Sequence, residues 1–128
     1  VELRTDVFSA KDIIRLVGSL RKKAKVLLSF RKDNTRDLDE LNDVLSEVEW
    51  IDVDINSKKT LETVMSHFSP ANKKKLIVSC HTGGLAENIK MLESAIVKKS
   101  KAKLKCSPEV KTFAELSPFA VLGCVARR

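Results

Sequence analysis

Five strand-like segments recur along this chain, and each ends in two polar residues that lie two positions apart. In chain order the pairs are Glu2 and Arg4, Ser29 and Arg31, Asp52 and Asp54, Ser79 and His81, and Lys103 and Lys105. Alternate residues of a strand project from one face, so both members of a pair point the same way. An isolated buried charge is too costly to persist. This polar face must therefore meet water, a ligand or its own opposite charges, and a functional site is expected there.

The positions between the polar residues are apolar. They are Leu3, Leu28, Phe30, Ile51, Val53, Val78, Cys80, Leu104 and Cys106. Strands joined by helices form parallel sheets that those helices cover, and their covered faces are apolar. The pattern predicts strands over residues 1–5, 25–31, 50–55, 76–81 and 102–106, with a sixth over residues 119–122.

Helical periodicity fills the intervals between the strands. The apolar positions three or four apart are Ile13, Leu16, Val17 and Leu20, then Leu38, Leu41, Leu45 and Val48, then Leu61, Val64, Met65 and Phe68, then Leu85, Ile89, Leu92 and Ile96. Ser9 and Asp12 resemble a capping box at the first helix. Ser57 is predicted to cap the third helix, and Pro70 to end it. A short helix is predicted over residues 108–116.

The strand starts recur about every 25 residues, as in repeating βα units with short loops. A β/α barrel and an open doubly wound sheet would both give this rhythm. Polar pairs at the strand ends favour the TIM-type barrel, whose active sites lie at the carboxyl ends of its strands. A complete barrel needs about 200–250 residues. We therefore expect residues 1–128 to form a single, partial β/α-barrel domain with about six of the eight units.

Composition narrows the classes of protein to consider. Hydrophobic content of 43% and charged content of 32% are typical of a folded globular chain, and the apolar stretches are too short to span a membrane. Three cysteines, Cys80, Cys106 and Cys124, suit buried thiols in a reducing cytosol, which predicts a cytoplasmic protein. No Cys or His pair has zinc-ligand spacing, so no metal site is expected. No GxGxxG or P-loop motif follows a strand, which argues against nucleotide binding.

The net charge of +7 raises the question of a nucleic-acid partner. The lysines are dispersed, and aromatic residues are only 5% of the chain, so platforms for base stacking are scarce. A positive field also attracts anionic small molecules. We expect such a substrate rather than DNA or RNA.

Lys103 is the residue with the largest chemical consequence. A lysine that points inward from a parallel strand must lose its water shell, and Lys105, Arg4 and Arg31 would further favour the neutral amine. A neutral amine can form an imine with a ketone or aldehyde. Alternatively, Lys101, Lys103 and Lys105 line a solvated edge strand, where lysine is common.

His81 stands at the end of the fourth predicted strand and can exchange a proton near neutral pH. A lone histidine at a strand end is more often structural. Asp52 and Asp54 could orient His81 or bind hydroxyl groups. Arg4 and Arg31 can bind a substrate carboxylate through paired hydrogen bonds. Glu2 could pair with either arginine.

In order, the five segments resemble the type I 3-dehydroquinate dehydratases, Schiff-base enzymes of the shikimate pathway. The matching segments are Glu2-Leu3-Arg4-Thr5-Asp6 with Glu-Leu-Arg-x-Asp, Leu27-Leu28-Ser29-Phe30-Arg31 with Phe-Thr-x-Arg, Trp50-Ile51-Asp52-Val53-Asp54 with Tyr-(Val/Ile)-Asp-(Ile/Leu)-Glu, Ser79-Cys80-His81 with Ser-Tyr-His, and Lys103-Leu104-Lys105-Cys106-Ser107-Pro108 with Lys-Ile-Ala-Val-Met-Pro. The resemblance spans nearly the whole chain.

The resemblance implies a lyase of aromatic amino-acid biosynthesis that converts 3-dehydroquinate to 3-dehydroshikimate without a metal or organic cofactor. It implies that Lys103 forms the imine, with Lys105 as the alternative, and that His81 is the general base and acid. Glu2, Arg4 and Arg31 would bind substrate, and Asp54 is a weaker candidate.

The sequence also departs from the family's pattern. Thr35 stands where the family has a Glu four residues after its arginine, and the family's first strand, later Gly-rich strand and closing loop have no secure counterparts. An unclosed barrel would expose strand edges that invite association, so a homodimer is one expectation. The alternatives are another class I Schiff-base barrel of the aldolase type and a non-catalytic basic binding module.

Overall fold

Five parallel strands form a sheet whose spatial order, β1-β2-β3-β4-β5, is the order of the chain. They are β1 (Glu2–Arg4), β2 (Leu27–Phe30), β3 (Trp50–Asp54), β4 (Leu76–Cys80) and β5 (Lys103–Cys106). The computed structural model describes residues 1–33, 35–81, 83, 85–94 and 102–106, and only the backbone of Leu85, Ile89, Leu92 and Cys106. The predicted helix over 108–116 and sixth strand over 119–122 lie outside the described residues.

Helices join the consecutive strands, so the fold is α/β. They are α1 (Ala10–Leu20), α2 (Thr35–Glu40), a 3-10 helix (Asn42–Val44), α3 (Lys58–His67), α4 (Pro70–Lys73) and α5 (Leu85–Leu92). Within the part of the chain that the structure describes, no helix has the length and apolar character needed to cross a lipid bilayer.

The register of the sheet aligns the polar residues in rows. The first row runs across all five strands through Arg4, Ser29, Asp52, Ile77 and Lys103. The next row contains Asp54, Ser79 and Lys105 on β3, β4 and β5. Because successive side chains alternate between faces, these rows share one face of the sheet and the intervening apolar residues share the other.

The apolar face forms the core with the helices. Leu28, Phe30, Ile51, Val53 and Val78 are completely buried and belong to one cluster with helix residues. Burying one large aliphatic or aromatic side chain contributes about 1.5–3 kcal/mol. Leu3 and Cys80 are buried as well, so the predicted apolar positions of β1 to β4 are confirmed, whereas Leu104 on β5 is 55% exposed. The side chain of Cys106 lies outside the described part of the chain.

The segment after β2 is less regular than its periodicity predicted. Instead of one helix, α2 ends at Glu40 and the short 3-10 helix follows. Asn42 and Asp43 explain the interruption, since their short polar side chains compete with helical backbone hydrogen bonds. The four apolar residues of the predicted stripe, Leu38, Leu41, Leu45 and Val48, are all buried nevertheless.

The helix ends confirm the cap predicted for the first helix but not the one predicted for the third. Ser9 Oγ accepts a hydrogen bond from the Asp12 amide (3.2 Å), as expected. Ser57 occupies the N-cap position of α3, but its hydroxyl makes no capping bond. Asp33 Oδ1 instead accepts from the Thr60 amide. α3 ends at His67, before Pro70 as predicted, and Pro70 begins α4, where its missing N–H costs nothing.

Candidate active site

Glu2 on β1, Ser29 on the adjacent strand β2 and Arg31, which follows β2, form a hydrogen-bonded group. Ser29 Oγ donates to Glu2 Oε1 (2.6 Å), and Arg31 Nη2 donates to the same oxygen (2.9 Å). The pKa of Glu2 is lowered from its ordinary value, chiefly by the hydrogen bond from Ser29, and Arg31 lowers it further against partial desolvation. Glu2 is therefore a carboxylate at neutral pH and holds the Arg31 guanidinium in place.

Asp52 on β3 is a buried carboxylate between two cations. Its side chain is 1% exposed, and Oδ2 lies 3.8 Å from Arg31 Nη2 and 3.4 Å from Lys105 Nζ. A carboxylate at this depth requires paired charge, because desolvation alone would be prohibitive. Asp52 thus links Arg31, the residue that follows β2, to Lys105 on β5.

His81 follows β4 directly and is partly buried. Its pKa is lowered from the ordinary value, first by desolvation and next by the positive charge of Arg31. Lys105 acts in the same direction, whereas the carboxylates of Asp52 and Asp54 oppose the shift. The imidazole is therefore mostly neutral at pH 7, the state in which it can accept a proton.

Four buried polar atoms on this face make no hydrogen bond within the described part of the chain. They are Arg31 Nη1, Asp52 Oδ1, Ser79 Oγ and His81 Nε2. Buried polar atoms in folded proteins almost always have a partner. A hydroxyl, an imidazole nitrogen, a guanidinium and a carboxylate on a common face are suited to a small molecule that carries hydroxyl and carboxylate groups.

The two lysines of β5 have different contacts, although both project from the polar face. Lys103 Nζ lies 3.6 Å from the centre of the Trp50 ring, at the amino end of β3. Lys105 Nζ instead contacts Asp52. The structure therefore brings Lys105 into the group of Asp52 and Arg31, whereas Lys103, the lysine chosen from the sequence, contacts an aromatic ring.

Arg4 and Asp54, both sequence-predicted site residues, bond mainly to near neighbours in the chain. Arg4 forms paired hydrogen bonds with Asp6, from Nε to Oδ1 (3.1 Å) and from Nη2 to Oδ2 (2.7 Å). This pairing raises the pKa of Arg4 and lowers that of Asp6. Asp54 Oδ1 accepts from the backbone and side-chain nitrogens of Asn56 (2.8 and 3.0 Å).

Ser29, Asp52 and Ser79 are central to the group, although no role with substrate was predicted for the two serines and Asp52 was given only the possibility of orienting His81 or binding hydroxyl groups. All three are at most 1% exposed. The period-two pattern had placed them on the polar face. Burial removes water from these groups and strengthens their polar interactions. It follows from packing between distant segments, which no local sequence pattern encodes.

Neither a metal site in the described part of the chain nor similarity to a known protein indicates the function. Among the described residues, no three His, Cys, Asp or Glu side chains are grouped so that they could hold a metal ion. Comparisons with protein-family models, curated proteins and solved structures give no match to this chain. The chemistry of the site must therefore carry the functional argument.

Proposed function

We propose that this chain is a Schiff-base hydro-lyase of the type I 3-dehydroquinate dehydratase kind, acting on 3-dehydroquinate in the cytoplasm. The observation that carries the proposal is the meeting of a lysine amine, a buried carboxylate and an arginine on one sheet face, with a neutral imidazole under their electrostatic influence. An amine and a base are the two groups that an imine-mediated elimination requires.

We also propose that the five strands are consecutive units of a β/α barrel. The described strands are parallel and keep their chain order without a reversal. A doubly wound sheet, the alternative, reverses its strand order at a switch point. In a barrel, the polar face would line the interior, and residues at the carboxyl ends of the strands would form the active site.

The proposed reaction begins at a lysine of β5. Its amine condenses with the C3 ketone of 3-dehydroquinate, and the resulting iminium makes the neighbouring C2–H acidic. His81 removes that proton and then protonates the C1 hydroxyl as it departs as water. Hydrolysis of the imine releases 3-dehydroshikimate. The lowered pKa of His81 supports this role, since a neutral imidazole is needed for the first proton transfer.

Arg31 is the best-placed cation for the substrate carboxylate. Its side chain is 15% exposed and fixed by Glu2, while Nη1 has no partner in the described residues. Ser79 Oγ and Asp52 Oδ1 are suited to the substrate hydroxyls. Arg4 would bind substrate only after releasing Asp6, so we assign it a smaller contribution.

The decisive assay follows the conjugated enone of 3-dehydroshikimate by ultraviolet absorbance after addition of 3-dehydroquinate, alongside mass spectrometry after borohydride reduction. We expect enone formation and a protein adduct. The Lys25→Met variant, which removes an exposed lysine paired with Glu49, serves as the control and should behave like the wild type.

The same assay distinguishes the alternatives. No enone and no adduct would overturn the proposal. An adduct together with carbon–carbon bond cleavage would indicate an aldolase-type enzyme. Steeply salt-dependent binding of DNA or RNA without any adduct would indicate a basic binding module.

A further inference from the structure

We infer that Lys105 is the amine that forms the imine and that Asp52 is the residue that positions it, an assignment that rests on the proposed function. Lys103 and Lys105 lie on the same face of one strand, so the alternation of residues does not distinguish which of them forms the imine. Their contacts separate them. Lys105 Nζ is held 3.4 Å from Asp52 Oδ2, and Lys103 Nζ lies over the Trp50 ring.

Position along β5 also favours Lys105. A strand rises about 3.3 Å per residue, so Lys105 lies about 7 Å nearer the carboxyl end of the sheet than Lys103. His81 follows the last residue of β4 at that same end. The charge of Lys105 acts on the pKa of His81, as the charges of Arg31 and Asp52 do.

The burial of Asp52 fits a lysine nitrogen that is cationic before the condensation and again in the iminium. Condensation converts an ammonium and a ketone into an iminium and water, so the nitrogen carries one positive charge before and after. Asp52, at 1% exposure, depends on cations beside it. Its counter-ion is therefore preserved from the free enzyme to the iminium.

The intervening proton transfer has an acceptor in place. The Lys105 ammonium gives one proton to the Asp52 carboxylate, and the neutral Nζ forms a bond to the ketone carbon as the carbonyl π pair moves to oxygen. A proton then moves from the nitrogen to the alkoxide, which gives the neutral carbinolamine. The carbinolamine hydroxyl takes up the proton held by Asp52 and leaves as water, while the nitrogen lone pair forms the C=N bond of the iminium. Asp52 Oδ1, which has no partner in the described residues, can hold the proton meanwhile.

Peptide mapping after borohydride reduction with 3-dehydroquinate tests the lysine assignment. We expect the adduct on Lys105 in the wild type and in Lys103→Met, and loss of the adduct in Lys105→Met. An adduct on Lys103 in the wild type would overturn this inference and leave the proposed function standing. No adduct on either lysine would overturn both.

The role of Asp52 is tested by the kinetics of adduct formation. Asp52→Asn should lower the rate of adduct formation at saturating 3-dehydroquinate by about 10-fold, because the amine loses the group that orients it and accepts its proton, and should leave the half-saturating substrate concentration unchanged. Asp43→Asn, which removes an exposed carboxylate of the 3-10 helix, should leave the rate unchanged.

A purely structural role for Asp52 predicts a different result. It would lower the unfolding midpoint of Asp52→Asn without lowering the rate of trapping by the folded variant, and that outcome would overturn the positioning role. Asp52→Glu provides a second variant if Asp52→Asn fails to fold. It should keep the half-saturating substrate concentration but trap about 10-fold more slowly, because the longer side chain displaces Nζ. A wild-type rate of trapping in Asp52→Glu would contradict the assignment.

Discussion

The two faces of this sheet are built from the same strands but differ in how their buried groups are satisfied. Val78 and Ser79 are neighbours on β4, and both are completely buried. Val78 packs into the hydrophobic cluster, whereas Ser79 Oγ has no hydrogen-bond partner among the described residues. Val78 is thus satisfied by packing alone, whereas the polar face holds buried polar atoms that no described residue pairs.

The contrast shows where stability and function separate in this fold. Burial of apolar side chains on the helix-covered face stabilises the fold, and these side chains need no hydrogen-bond partner. On the polar face, burying Asp52 and Arg31 costs desolvation that their ion pair at best offsets. Structure held at such a cost is typical of functional sites.

The largest expected effect is on the turnover of 3-dehydroquinate, which measures whether the polar face is catalytic. His81→Asn should lower the turnover of 3-dehydroquinate by about 10²–10⁴-fold, because it removes the proposed general base. His67→Asn changes an exposed histidine of α3 and should leave turnover unchanged. Enone formation measures both variants. Equal turnover in wild type and His81→Asn would remove His81 from the mechanism.

Adjacent substitutions on β4 test the structural half of the comparison. Val78→Ala should lower the free energy of unfolding by about 2 kcal/mol, through lost apolar burial and a cavity. Ser79→Ala should change it by less than about 1 kcal/mol or stabilise the protein, since it removes a buried hydroxyl without a partner. Denaturant unfolding compares the two. A larger loss for Ser79→Ala would mean that this hydroxyl is satisfied in the native protein.

A smaller effect follows from the lowered pKa of His81. The folded protein binds the His81 proton less readily than the unfolded chain, whose imidazole titrates near pH 6.5. Stability should therefore be complete above that pH and fall as pH drops through the window below it, by less than about 1 kcal/mol for a partly buried group. Urea unfolding between pH 5 and 7 should show a steeper slope for wild type than for His81→Asn. Identical slopes would contradict the lowered pKa.

The smallest effect concerns the contact between Lys103 and Trp50. A double-mutant cycle with Lys103→Met and Trp50→Leu should give a coupling free energy of about 0.5 kcal/mol, as expected for an exposed cation–π pair. Unfolding free energies of the wild type and three variants supply the cycle. A coupling of zero would show that Lys103 is not held at the ring in solution.

Much of the fold followed from local patterns in the sequence. Alternation at Leu28, Ser29 and Phe30 predicted both a strand and the direction of each side chain, because a strand has a period of two. The capping of α1 by Ser9 was equally local. The break after α2 and the cap supplied to α3 by Asp33 were not predicted, since they depend on competing polar groups and on a loop 27 residues away.

The candidate site was predicted as a face rather than as a set of contacts. Arg4 was expected to bind substrate but pairs with Asp6, two residues along the chain. Asp52 was expected to orient His81 or bind hydroxyl groups, yet it contacts Lys105 on β5 and Arg31, which follows β2. Nothing in a single strand distinguishes these outcomes.

The sequence alone determined which residues share the polar face, because the geometry of an extended chain fixes that choice strand by strand. Tertiary structure decided which of them touch. The register of β5 against β4 places Lys105 beside Asp52 and Lys103 over Trp50. That register is set by packing between segments far apart in the chain, where the free energy of burial, rather than any local preference, selects the alignment.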